Sequence, residues 1–114
     1  MTSTSLILRR WAGRIRTADT DAYVAYIIET GGSEYRAVEG NRGYQIVCRD
    51  LGNGETEVAT LSWWDSWDAI KRFAGPDPTR AHYYPEDDRF LLDRPETVEH
   101  FDVASSDVEA MQRS

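Results

Sequence analysis

The chain has 114 residues, 20 acidic and 13 basic, for a formal charge of −7 at neutral pH, with 40% hydrophobic residues and one cysteine. That length fits one domain with its own core, and the acidic surface argues against binding a phosphate backbone. A single cysteine excludes a disulfide framework or a thiolate metal site, and no apolar run approaches the roughly 18–20 residues that span a bilayer.

Residues 1–4 are a polar lead-in without the charged-then-apolar order of a signal peptide, so a soluble, reduced, cytoplasmic protein is expected. Residues 5–16 read as a strand, with Ile7, Arg9, Trp11, Gly13 and Ile15 on one face and Leu8, Arg10, Ala12 and Arg14 on the other. Most of these arginines are expected to be solvated or paired. An arginine turned into a pocket instead would hold an anionic oxygen, which makes Arg9 and Arg10 candidates.

Asp19 reads as the N-cap of a helix through Thr30, with Ala22, Tyr23, Tyr26, Ile27 and Thr30 facing inward and Gly31-Gly32 ending it. Residues 33–39 allow a further turn carrying Tyr35. Residues 43–50 alternate as a second strand, and Leu51-Gly52-Asn53-Gly54 is a hairpin signal, because Asn-Gly supplies the positive φ of a tight turn.

Residues 57–64 form a third strand, on which Val58, Thr60, Ser62 and Trp64 share one face. Asp65 is the expected cap of a second helix whose apolar stripe is Trp67, Ile70, Phe73 and Ala74, stopped by Gly75-Pro76. The corner predicts that Trp64 meets ligand while Trp67 holds the fold. Residues 75–94 carry three of the four prolines, and the fourth, Pro95, follows directly, with Asp77-Pro78 expected to open a turn through His82 and Pro85 another through Leu92. They read as a lid, and Tyr83 and Tyr84 would close it. Residues 97–104 are the last strand, and 105–114 are expected to be a disordered tail.

The order β-α-β-β-α-β is the split, ferredoxin-like α+β arrangement: an antiparallel sheet with two helices on one face, as a single domain over residues 5–104. The other face keeps apolar side chains, which predicts a homodimer.

With that element order, the junction Leu61-Ser62-Trp63-Trp64-Asp65-Ser66 and the ending Val98-Glu99-His100-Phe101-Asp102-Val103, the chain resembles the antibiotic biosynthesis monooxygenase family of dimeric α/β barrels. The resemblance implies a cofactor-independent monooxygenase acting on an aromatic or phenolic, polyketide-like molecule. Trp64 matches that branch's pocket tryptophan; Thr60 stands where the branch has asparagine, and Ile70 where it has tyrosine. The implied catalytic set is Trp64, Thr60, His82, Arg9, Arg10 and His100, with Trp63, Ile70, Tyr83, Tyr84 and Phe73 lining the substrate pocket. Either histidine could take a proton near neutral pH. A non-catalytic binding or accessory protein is the alternative. A heme-degrading enzyme with His82 as iron ligand is the third reading, although the first strand lacks that branch's asparagine.

Overall fold

The computed structural model describes residues 5–108. Four strands, β1 (Ile7–Arg16), β2 (Asn41–Gly52), β3 (Glu55–Trp64) and β4 (Glu99–Asp102), form one antiparallel sheet in the order β2-β3-β1-β4. β3 lies between β1 and β2, and the helices pack on one face, which is the ferredoxin-like arrangement expected from the element order.

The register follows the side-chain alternation. Ile7 lies opposite Trp64, Arg9 opposite Ser62, Trp11 opposite Thr60, Gly13 opposite Val58 and Ile15 opposite Thr56. These pairs face the helices. Tyr44 and Ile46 of β2 continue the same face beside Ser62 and Thr60, and His100 of β4 continues it beside Arg9. The β2–β3 turn has φ 57° at Asn53 and 78° at Gly54, as its Asn-Gly signature requires.

The first helical layer departs from expectation at both ends. α1 (Thr20–Ile27) follows a 3₁₀ turn at Thr17–Asp19, and Asp19 makes no capping bond, its carboxylate lying 3.4 Å from the Arg16 guanidinium instead. Ala22, expected on the inner stripe, is exposed. Gly31-Gly32 does not end the helix. The chain widens there into a π-helical turn, Ile28–Gly32, and runs on as α2 (Ser33–Ala37). Gly32 has ordinary helical angles and is buried, and a Cβ on it would lie 2.5 Å from the Tyr44 hydroxyl. It serves close approach of helix to sheet rather than termination.

The helix stops at Ala37, where Val38 turns extended, and the chain bends into β2 at Gly40, with φ 98°, where a Cβ would meet the Ala69 Cβ at 2.6 Å. Its carbonyl accepts the Asp65 N–H at 2.8 Å. Gly40→Ala is therefore expected to cost about 2–4 kcal/mol, combining backbone strain with overpacking against a Cβ that cannot swing away. Chemical denaturation against wild type measures it, and a loss below about 1 kcal/mol contradicts the packing described.

α3 (Trp67–Ala74) is capped by Ser66, not Asp65: the Ser66 Oγ accepts the Ala69 N–H at 3.1 Å, while Asp65 lies 3.6 Å from Arg42. Gly75, with φ 97°, ends it as expected. Its buried face is centred on Ala69 and Ile70, so the expected stripe holds at Ile70 and fails at Trp67, which is 43% exposed. In the following segment Asp77 accepts from the Thr79 N–H and hydroxyl, making a turn where a helix through His82 was expected. A short helix α4 (Asp87–Phe90) follows, and the Leu92 N–H to Arg14 carbonyl bond ties the segment's end to β1. The last strand, expected over 97–104, is the shorter β4. Of the expected tail, residues 105–108 form neither helix nor strand, and 109–114 lie outside the described residues, as do 1–4.

The core is in two parts. Ile7, Tyr35, Trp64, Ala69 and Ile70 form one cluster under α2 and α3. Ile15, Tyr23, Ile27, Val58 and Phe90 form the other under α1 and α4. Among the described residues no helix covers the outer sheet face. Ala12, Leu61 and Trp63 are half-buried there, while Val47 and Phe101 are exposed. Its charges pair across strands, Arg10 with Glu99 at 2.8 Å and Arg14 with Glu55 at 2.8 Å.

Candidate active site

Between the two core clusters lies a small, half-open cavity, whose empty space comes to about 470 Å³ with the open solvent at its mouth included. Its floor is the sheet, through Arg9, Trp11 and Thr60; its helical wall is Tyr23, Ile27, Thr30, Gly31 and Tyr35; its roof is Phe73, His82, Tyr83, Tyr84, Asp87 and Val98. Gly31 belongs to the π-helical turn, so the widened helix presents backbone rather than a side chain to the space.

Arg9 is 3% exposed and has no carboxylate partner among the described residues. Its Nη1 donates to the Pro78 carbonyl, and its Nη2 donates to the Arg80 carbonyl at 3.0 Å. The guanidinium lies 5.7 Å from the centre of the Phe73 ring. Burial lowers its pKa from the ordinary value, offset in part by Tyr35. The fork is thus pinned by two carbonyls of the lid with its charge unneutralised.

His100 lies beside it, with Nε2 3.2 Å from Arg9 Nη1 and its ring 4.7 Å from that of Trp67. An imidazole accepting from a guanidinium must be neutral at that nitrogen. Burial, with the Arg9 charge second, holds its pKa down to about 4. In the unfolded chain the ordinary value near 6.5 returns. Between those values the unfolded state binds more protons, so His100 destabilises the fold as pH falls from 6.5, with the full effect below 4. Discounted for partial exposure, this is about 1 kcal/mol. Thermal melts of wild type and His100→Gln are expected to diverge between pH 7.5 and 4.5, the variant losing less. Parallel curves contradict a neutral, Arg9-bonded imidazole.

The phenols are held in their donor forms. Burial raises the pKa of Tyr35, whose hydroxyl donates to Thr60 Oγ1 at 3.4 Å. Burial and then Asp87 raise that of Tyr23, which donates to Asp87 Oδ1 at 2.8 Å. Burial and then Glu34 raise that of Tyr84, which donates to Glu34 Oε1 at 2.6 Å. Asp87 is 5% exposed and accepts a second bond, from the Tyr84 N–H at 2.7 Å. At the mouth, His82 is edged by Phe73 and Tyr84, and its Nε2 lies 3.5 Å from Glu34. Trp11 Nε1 donates to the Tyr83 hydroxyl at 3.1 Å, which itself donates to the Pro95 carbonyl.

Of the residues expected at a site, Arg9, Thr60, Phe73, His82, Tyr83 and Tyr84 line this cavity together. Trp64 does not: it is fully buried, its Nε1 donating to Ser62 Oγ at 2.8 Å, and Tyr35 and Phe73 stand at 5.9 and 5.6 Å between ring centres. Ile70 is core beside it. Arg10 and Trp63 sit on the opposite sheet face, and His100 reaches the cavity only through Arg9. Tyr35, Asp87, Tyr23 and Trp11 were missed. The inward stripe already held Tyr23, and Trp11 shared a face with Arg9, so two of the four were within reach of the alternation; Asp87 lay in a run of charges with nothing to mark it as buried. A heme iron would need His82, whose Nε2 faces Glu34 with its ring flanked by Phe73 and Tyr84, a poor fit to that role.

Among the described residues no helix is long and apolar enough to cross a membrane. No protein-family model and no curated protein matches the sequence. Solved structures do match in shape. A candidate antibiotic biosynthesis monooxygenase from Bacillus cereus is 19% identical with a TM-score of 0.53, over 94% of this chain and 100% of that one. A protein of unknown function from Nitrosomonas europaea is 11% identical with a TM-score of 0.56, over 95% and 97%. The chain has the ferredoxin-like α+β fold of the Bacillus cereus monooxygenase candidate, complete from end to end of that structure.

Proposed function

We propose that the protein is a cofactor-independent monooxygenase acting on an aromatic or phenolic small molecule bound between the two halves of its core. The observation that carries this reading is Arg9: a buried guanidinium without a carboxylate partner among the described residues, lining a cavity walled by aromatic rings and phenols. An enolate or phenolate would neutralise it, with the Thr60 hydroxyl alongside: it accepts from Tyr35 and keeps its own proton to donate. An anthrone-like carbon acid serves as the chemical case. Its CH₂ loses a proton to the His82 imidazole or to water at the mouth, and the carbanion adds to dioxygen. A proton then returns, and water leaves as the carbonyl forms, so that R₂CH₂ and O₂ give R₂C=O and H₂O. The chain's part is to desolvate the anion, orient it and hold the proton.

Oxygen uptake with anthrone or a quinol, stoichiometric with carbonyl product and lost on boiling, supports this. Binding without uptake under the same conditions overturns the oxygenase and leaves a binding protein. We further propose that two copies pair through the open sheet face, where Val47 and Phe101 are exposed and Leu61 and Trp63 half-buried. Sedimentation is expected to give twice the chain mass at micromolar concentration, and Trp63→Asp to shift it toward monomer. A monomer at all concentrations contradicts the pairing.

A further inference from the structure

The cavity has two electrostatic ends. Arg9 and Asp87 both line it, both are almost wholly buried, and neither has an ion-pair partner among the described residues. A buried cation and a buried anion in one small protein gain most by meeting. Here they are held apart by the elements that carry them. Arg9 hangs from β1 beside Phe73 and Tyr35, at the end packed on the first core cluster. Asp87 opens α4 and is fixed to Tyr23, in the second cluster, and to the Tyr84 N–H. Two donors leave each oxygen of a carboxylate with accepting capacity to spare.

Resting on the reading of this cavity as a site for an aromatic small molecule, we infer that the ligand is a planar monoanion, its anionic oxygen at Arg9 and a neutral hydroxyl at the far end donating to Asp87. The class is a hydroxylated aromatic enol, phenol or acid, and a dianion is excluded. A second negative charge would face the buried Asp87 carboxylate, where like charges repel more strongly than in open water. A ligand with no donor there would leave Asp87 under-solvated. A site built to receive a hydroxyl discriminates against analogues lacking it far better than an apolar wall does. Asp87 is thus a specificity-determining residue as well as the staple between α4 and α1.

Four matched probes test this by calorimetry on the full chain: a hydroxynaphthoate with its two groups at opposite ends, the unsubstituted naphthoate, the methyl ether and the corresponding dicarboxylate. The hydroxynaphthoate is expected to bind about tenfold or more tighter than the unsubstituted acid and the ether, with the dicarboxylate weakest. Asp87→Asn, with folding checked by melting, is expected to bring the dicarboxylate up toward the hydroxy acid. Should that variant not fold, the wild-type order decides alone. Equal affinity for all four, or a preference for the dicarboxylate, overturns the inference while oxygen uptake still judges the proposed activity. Binding of none overturns it too.

Discussion

Trp64→Ala is expected to cost about 3–5 kcal/mol of stability, and Trp67→Ala under about 1 kcal/mol. Trp64 is fully buried among Tyr35, Phe73 and Ile70, so truncation opens a cavity in the first core cluster. It also takes a donor from Ser62 Oγ, itself wholly buried, and an unsatisfied buried hydroxyl adds its own penalty. Trp67 is 43% exposed and covers the His100 ring, so its removal uncovers a surface rather than emptying a core. Urea unfolding followed by circular dichroism separates the two. Comparable losses, or the reverse order, contradict this placement. The outcome inverts the assignment that the sequence suggests, in which Trp64 meets ligand and Trp67 holds the fold.

Arg9→Met should lower ligand affinity and oxygen uptake by about a hundredfold, because it removes the cavity's cation while keeping most of the side chain's bulk. Arg9→Lys should recover only part, since an ammonium cannot span the Pro78 and Arg80 carbonyls as a planar fork does. Arg10→Met is the control. Its guanidinium is on the other face, 2.8 Å from Glu99 and 3.9 Å from Glu57, in exposed pairs worth under about 1 kcal/mol. Kinetics and titrations on the three variants, with melts to confirm folding, decide it. Equal effects from Arg9→Met and Arg10→Met would remove the case for an anion site at Arg9.

The sheet was legible because alternation is a local signal. Ile7 to Ile15 and Val58 to Trp64 declare their faces residue by residue, and Asn53-Gly54 declares the turn. The helix boundaries were less so. Ser66 and Asp65 are both good caps by type, and only the bond from Ala69 N–H chooses between them. Gly31-Gly32 reads as a stop by composition, but Gly32 serves close approach to Tyr44 on the sheet beneath it, which no local window contains. The site was half legible for the same reason. Alternation put Arg9 with Ile7 and Ile15 and Thr60 with Val58 and Trp64, and the register joined the two faces, whereas the Asp87 contacts with Tyr23 and Tyr84 depend on how an irregular segment folds back over α1.

The divided core has a consequence for how the chain unfolds. Two apolar clusters joined by the sheet and by the continuous run from α1 into α2, but divided by a cavity, are expected to behave as two cooperative units, one around α1 and α4 and one around α2 and α3. An occupant touching Tyr35 and Phe73 on one side and Tyr23 and Ile27 on the other would weld them. Amide hydrogen exchange in the free protein should then show two protection levels, one for each half. Saturation with ligand should merge them into a single, slower class, so that the small molecule acts as the missing layer of the protein's interior.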